Sequence, residues 1–197
     1  MFEGLIEPQA HNTLAADVSL LQEDPPYESE VYEVDKTSQH PLPDDICKAF
    51  KEKAISVPEK TSFLTYINHQ GLIYSTSDNH EGNSGVFFTN SHVPFSIQKI
   101  LHFSNHPQVK GIWLVVRAHQ VASISTDPYA KYPLLHARIW EPKLVSTVQV
   151  FPLHVVECHF AKCLIPWEEK LVAVILPLSR VSRLLYPAYP QQLNLPN

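Results

Sequence analysis

Residues 126–163, TDPYAKYPLLHARIWEPKLVSTVQVFPLHVVECHFAKC, decide the fold class of this chain. A turn at Asp127-Pro128 is followed by two β-prone runs and then by the closing segment FPLHVVECHFA. The runs are rich in β-branched and aromatic residues, and no helical spacing of apolar residues separates them. The stretch therefore predicts part of a small, barrel-like β module rather than an enzyme.

Short β-prone runs continue on both sides of this stretch, with turn residues such as His69-Gln70-Gly71 between them. We predict seven to eight strands. They lie within residues 62–69, 71–76, 84–89, 95–103, 111–119, 134–141, 145–152 and 170–178. Strands at this spacing, with almost no helical pattern between them, are typical of a small barrel or sandwich. The sequence thus predicts a mainly β fold.

The chain divides unequally. Residues 1–40 have little periodicity and are rich in Glu, Asp, Pro and Ser, which predicts a disordered acidic arm. Residues 42–55 predict a short helix capped by Asp44, with Ile46, Ala49 and Phe50 on one apolar face. We predict one β domain over residues 41–186 and a flexible tail over residues 187–197.

The charge and the cysteine content limit the classes of function that we expect. Residues 1–60 carry 13 acidic and 5 basic side chains, and residues 61–197 carry 7 acidic and 10 basic. This weak positive charge disfavours a dedicated nucleic-acid protein, which usually has a concentrated basic patch. The 3 cysteines form no disulfide framework, and no signal peptide or membrane-spanning run is apparent. We expect an intracellular protein with no membrane partner.

A metal site is one alternative that the closing segment raises, because His154, Cys158, His159 and Cys163 are residue types that bind zinc. In a helix the second pair would be rotated by roughly 140° from the first. In a strand, even and odd positions face opposite sides, which also separates the pairs. We therefore predict no metal and no cofactor.

Catalytic motifs give no coherent set either. Gly82-Asn83-Ser84-Gly85 has the form found around the nucleophile of chymotrypsin-like proteases, but too little chain precedes Ser84 to supply a His and an Asp. A polar hairpin turn explains the motif instead. The 11 histidines are scattered, without carboxylates at informative spacing. We predict no catalytic residues and a non-enzymatic protein.

Aromatic residues on or beside the predicted strands are the remaining candidates. Two or three of them could form a cage for a methylated lysine or a platform for a peptide. Core packing is the alternative explanation. Tyr129 and Tyr132, in a Pro-containing loop, are the least easily assigned to a core. The candidate binding residues are Tyr129, Tyr132, Trp113, Trp140, Tyr66 and Tyr74.

The order of these segments resembles a β-domain of basidiomycete fungal proteins associated with mobile elements. The resemblance covers about residues 41–183 and is most specific after Gly111. The matching segments are Ile112 to Arg117, Asp127 to Tyr129, Tyr132 to Trp140, Phe151 to Val156, Cys158 to Ala161, and Leu176 to Arg180. His136 stands where the fungal pattern favours Gly. Nothing resembles a transposase catalytic core.

The arrangement is also similar to the bromo-adjacent homology (BAH) domain, an elaborated SH3-like barrel of chromatin proteins. This resemblance implies a BAH-type barrel that binds a protein or histone-tail partner, and a nuclear location. Two alternatives stay open: a small metal-dependent or hydrolytic enzyme that uses the scattered His and Cys residues, and a mobile-element relic without defined activity. The partner and the oligomeric state are not predicted.

Overall fold

The computed structural model describes residues 39–104, 106–132 and 135–178. Within them, one α-helix and eleven strands follow one another along the chain. They are β1 (Gln39–Pro41), α1 (Asp44–Glu52), β2 (Lys60–Leu64), β3 (Tyr66–His69), β4 (Leu72–Ser75), β5 (Gly85–Phe88), β6 (Phe95–Phe103), β7 (Gly111–Val121), β8 (Arg138–Leu144), β9 (Gln149–Pro152), β10 (Val156–Trp167) and β11 (Lys170–Pro177). The prediction of a mainly β fold is confirmed.

Nine strands form one antiparallel sheet in the order β1-β2-β6-β5-β10-β11-β8-β7-β9, and β3 pairs with β4 in a separate hairpin. An additional pairing joins β6 to β7, so that β6, β5, β10, β11, β8 and β7 are hydrogen-bonded in a closed circuit. The long strands β6 and β7 also extend beyond this circuit. There β6 pairs with β2 and β7 pairs with β9.

Helix α1 packs on the part of the sheet outside the circuit. Its Ile46, Ala49 and Phe50 are buried, as the apolar face of the predicted helix requires. The Phe50 ring centroid lies 5.9 Å from that of Phe103 and 5.2 Å from that of Trp113. We call this cluster the helix core; it consists of Leu42, Ile46, Ala49, Phe50, Leu101, Phe103, Val109, Trp113, Val115 and Val150.

Two further clusters complete the interior. The hairpin core joins the β3–β4 hairpin to the sheet and contains Leu64, Ile67, Tyr74, Val86, Phe88, Phe95, Ile97, Ile100, Ile112, Leu114, Val116, Ala118 and Leu153. The circuit core contains Phe87, Trp140, Cys158, Phe160, Ala173 and Ile175. Strand β7 contributes to both the hairpin core and the helix core, because alternate side chains of a strand point to opposite faces.

Several local predictions need correction. The helix begins at Asp44 with Pro43 as its N-cap residue, so Asp44 is not the cap. The predicted strand over residues 62–69 is divided at Thr65 between β2 and β3. Residues 156–167, which we had not predicted as a strand, form β10. Gln39 and His40, which the sequence places in the arm, belong to β1. The rest of the arm, the residues beyond 178 and the predicted tail lie outside the described residues.

Candidate functional site

Three of the six candidate aromatic residues are buried in three different clusters. Trp113 lies in the helix core, Trp140 in the circuit core and Tyr74 in the hairpin core. Burial also raises the pKa of the Tyr74 hydroxyl to about 12. Side chains divided among separate cores cannot line one open cage. Tyr66, on β3, is half-buried. These positions are explained by packing.

The other two candidates lie in the loop of residues 122–132, which follows β7. The Tyr129 backbone N–H donates to Asp127 Oδ1 at 2.8 Å, and the Tyr129 side chain is half-buried. The Tyr132 side chain is 52% exposed, and Lys131 Nζ lies 5.2 Å from its ring centroid. The exposed Tyr132 ring is therefore partly covered by a lysine of its own loop.

Hydrogen bonds tether this loop to the turn between β10 and β11. The Ser125 hydroxyl and backbone N–H both donate to the Glu168 carboxylate, and Lys170 Nζ donates to the Ser123 carbonyl at 3.2 Å. The bonds from Ser125 hold the pKa of the Glu168 carboxyl below its usual value. The loop and the β10–β11 hairpin thus form one continuous surface.

Large exposed apolar side chains stand on the strands of this surface. Register places Val121, Trp140, Ala173 and Leu164 in one row across four strands, on the same face. Trp140 and Ala173, in the middle of the row, are buried, whereas Val121 is 77% exposed and Leu164 is 49% exposed. Leu171, nearer the hairpin turn, is 54% exposed. We call Val121, Leu164 and Leu171 the apolar rim.

Sequence reasoning missed the apolar rim. Its signal is present in the run Leu164-Ile165-Pro166-Trp167, which stays apolar beyond the alternating part of β10. An apolar run without alternation predicts that both faces of a strand are covered. Here β10 continues beyond β5 and is paired with β11 alone, and the faces near its end are only partly covered. An exposed apolar surface of this kind is typical of an interaction site.

Strand β10 separates the His and Cys residues that raised the metal alternative. Cys158 lies in the circuit core, whereas the His159 Nδ1 lies 3.0 Å from the Gly85 carbonyl oxygen and its ring stacks on Tyr74 with centroids 4.4 Å apart. His154 lies in the turn before the strand, and Cys163 is exposed. Within the described ranges, no group of three or more His, Cys, Asp or Glu side chains could hold a metal ion.

The three thiols are expected to react at very different rates. Cys163 is exposed, Cys47 is partly buried, and Cys158 is buried, where burial raises the pKa of its thiol to about 11. Because the thiolate is the reactive form, we expect Cys163 to be alkylated first and Cys158 only when the protein unfolds. Timed iodoacetamide labelling with peptide mass spectrometry measures the order. Early labelling of Cys158 in folded protein would contradict the placement of β10.

Ser84 of the protease-like motif is a structural residue. Its side chain is buried, its hydroxyl donates to the Glu81 carbonyl at 2.8 Å, and it lies 3.4 Å from the Ser96 hydroxyl. The motif lies in a turn that precedes β5, but this turn is not the predicted hairpin, because β4 pairs with β3 and β5 pairs with β6 and β10. Of the paired carboxylates, Asp44-Asp45 begin α1 and Glu168-Glu169 form the β10–β11 turn.

Burial lowers the pKa of three histidines, which favours their neutral form. Burial lowers the pKa of His119, whose Nδ1 lies 3.3 Å from the Glu141 carbonyl oxygen and whose ring packs edge-on against Phe160. Burial also lowers the pKa of His159 and of His102. The His119 and His159 rings are packed and hydrogen-bonded, whereas His102 is half-buried and lines a small cavity.

A small cavity lies at the opposite end of the sheet, between β1, β2 and the end of β6. Its volume is about 220 Å³, below the roughly 300–1,000 Å³ usual for small-molecule sites. The lining residues are Gln39, Pro58, Lys60, Thr61, His102, Phe103, Ser104 and His106. The Thr61 hydroxyl donates to the His102 carbonyl at 2.8 Å and is thus already bonded. The cavity is a minor feature of this surface.

Among the described residues, no helix is long and apolar enough to cross a bilayer. The apolar rim and its tethered loop are the strongest candidate site, because the rim exposes three large apolar side chains. A scan against protein-family models and searches of curated proteins and of solved structures find no match to this chain.

Proposed function

We propose that this protein is a non-enzymatic interaction module whose β domain is a barrel of the SH3-like, BAH type. The closed circuit of six hydrogen-bonded strands supports the barrel, because closure of a sheet removes its free edges. The pairing of β6 and β7 with further strands beyond the circuit fits an elaborated form of such a barrel.

The apolar rim is the observation that carries the interaction function. Val121, Leu164 and Leu171 continue a buried apolar row into solvent, and apolar contacts at the centre of an interface supply much of its binding energy. The tethered loop borders the rim with polar groups at Ser123 and Ser125, which are bonded to Lys170 and Glu168. A protein surface or an extended peptide is the class of partner that such a site fits.

The partner class that we propose is a histone tail or another chromatin protein, which implies a nuclear location. This choice rests on the resemblance to BAH domains. We do not propose an aromatic cage for a methylated lysine, because Trp113, Trp140 and Tyr74 are buried in separate cores. The binding energy is assigned to the apolar rim, with Tyr132 and Tyr129 of the loop as proposed further contacts.

Charge substitution on the rim tests this function. Leu164→Asp and Leu171→Asp are expected to weaken binding to nucleosomes or histone-tail peptides by about tenfold or more, because a carboxylate would be desolvated in the interface. Ile73→Asp is the matched control, since Ile73 and Leu164 are both 49% exposed and Ile73 lies on the β3–β4 hairpin. Biolayer interferometry measures the affinities, and thermal melts verify that each variant folds.

Two results would count against the proposal. One is that nucleosomes and the whole set of tail peptides fail to bind the unmodified chain. The other is that Leu164→Asp and Ile73→Asp reduce binding equally, which would remove the apolar rim as the binding surface while leaving an interaction function in place.

A further inference from the structure

Arg117 is a half-buried cation with a buried nitrogen that no described residue satisfies. It lies on β7, and its Nε is buried and forms no hydrogen bond with any of the residues that the structure describes. Glu81, an acidic residue near this part of the sheet, is paired with Lys162. Arginine is seldom buried unless its N–H groups are satisfied by acceptors, and an unpaired one is costly. The buried Nε–H of Arg117 is therefore a donor with no acceptor among the described residues, and an acceptor brought to it by a ligand would be favourable.

Polar side chains surround the residue opposite Arg117. Ser96 on β6 is its direct register partner, so the two side chains lie on the same face. The Ser96 hydroxyl lies 3.4 Å from the Ser84 hydroxyl and 3.4 Å from Gln98 Nε2. Ser84 and Ser96 are buried. The Ser84 hydroxyl proton is used in the bond to the Glu81 carbonyl, whereas the Ser96 hydroxyl has only contacts at 3.4 Å. Ser96 is therefore the hydroxyl on the Arg117 face that can turn to donate to an anion bound by the guanidinium.

An irregularity in β6 places Gln98 beside these polar side chains. The register of β6 against β7 shifts between Ile97 and Lys99, which leaves Gln98 unpaired as the extra residue of a β-bulge. Gln98 Nε2 reaches back to the Ser96 carbonyl at 3.1 Å and across to the Ser77 hydroxyl at 3.4 Å. Bulges are common beside functional sites, because they redirect a side chain.

The single positive charge of Arg117 suits a ligand that carries one negative charge. Lys99, the next basic residue on β6, is directed toward Phe63, with its Nζ 5.7 Å from that ring centroid. Lys162, near Ser84, is paired with Glu81. Arg117 is thus the cation of this region for which the described residues supply no acidic partner. A planar guanidinium suits the two oxygens of a carboxylate, whereas a phosphate dianion would favour a second cation.

We propose that Arg117 and Ser96, with Gln98 beside them, form a binding site for a carboxylate. The guanidinium binds the two oxygens, and the hydroxyl of Ser96 donates a further hydrogen bond. The carboxylate comes from a small acid or from a Glu or Asp side chain of a peptide. This proposal goes beyond the interaction function, because a carboxylate can bind Arg117 whether or not a macromolecule binds the apolar rim.

Nitrogen-15 NMR of the full chain tests the site through the Nε–Hε signals of its arginines. The Arg117→Lys variant assigns the Arg117 signal by its loss. Acetate is the small-acid probe, N-acetylglutamic acid amide is the side-chain probe, and N-acetylglutamine amide is its neutral match. Sodium chloride at equal ionic strength controls for screening. Arg138, whose Nη1 donates to the Ala137 carbonyl at 2.8 Å, is the reference arginine in the same sample.

We expect a saturable shift of the Arg117 signal with both carboxylates, and none with chloride or the glutamine amide. Ser96→Ala should weaken the apparent affinity by about two- to tenfold, the usual effect of one lost hydrogen bond. A stronger response to the peptide-type probe than to acetate would identify a side chain as the source. A shift that never saturates, or that Arg138 shares, would overturn the proposal. Tighter binding of inorganic phosphate than of acetate would overturn the carboxylate assignment.

Discussion

Replacing Phe50 with alanine is expected to lower the free energy of unfolding by about 3–5 kcal/mol, the usual cost of deleting a fully buried phenylalanine ring. The ring is 0% exposed and joins α1 to Phe103 and Trp113 on the sheet. Relaxation around the cavity is limited, because the ring packs against strands on one side and its own helix on the other. Urea denaturation followed by tryptophan fluorescence measures the change.

Lys51→Ala is the matched control for this prediction. Lys51 is exposed and lies next to Phe50 in the same helix, so its replacement is expected to change stability by no more than about 0.5 kcal/mol. Phe50→Leu keeps much of the apolar volume and should fall between the two variants. A cost below about 1 kcal/mol for Phe50→Ala would mean that α1 contributes little to the fold, and would contradict the packing of the helix core.

The helix face could be predicted from sequence because its signal is local. Ile46, Ala49 and Phe50 recur at helical spacing, and these three residues are buried. The mainly β class could be predicted for the same reason, since alternating β-branched and aromatic runs mark strands wherever they pair. Neither prediction depended on which strands become neighbours.

The errors arose where distant pairing decides the outcome. Thr65 separates β2 from β3 because the first pairs with β6 and the second with β4, and no residue in the run SFLTYINH shows that division. Strand β10 lacks regular alternation, because its first half pairs with β5 inside the circuit and its second half extends with β11 into solvent. Local patterns cannot show how far a strand extends beyond the strands with which it pairs.

Three of the aromatic candidates, Trp113, Trp140 and Tyr74, are buried in separate cores for a related reason. Trp113 lies in the run Ile112-Trp113-Leu114-Val115-Val116, which has no polar positions. Such a run predicts a strand covered on both faces, and α1 covers the face that bears Trp113. Trp113 was a candidate because of its residue type alone. The apolar pattern of the run around it favours a core position and is a more reliable guide than the residue type.

Gly85→Ala is expected to destabilise the protein by about 1–3 kcal/mol, even though replacing a strand glycine usually helps. A Cβ at this position would lie 2.6 Å from Phe160 Cε2 and 2.7 Å from its Cζ, closer than van der Waals contact allows. The ring has little freedom to withdraw, because it packs edge-on against Phe87 and His119. Glycine at position 85 therefore makes room for the central ring of the circuit core.

A double-mutant cycle with Phe160→Leu separates this clash from other costs of the substitution. Leucine is smaller and more flexible than phenylalanine, so the double variant should be more stable than the sum of the single effects predicts, by about 1 kcal/mol or more. Gly71→Ala is the control. Gly71 has a φ of +71° and nothing within 4 Å of an added Cβ, so its cost is backbone strain and should not couple to Phe160→Leu. Additive effects for Gly85 and Phe160 would contradict their contact, and with it the pairing of β5 and β10 that closes the six-strand circuit.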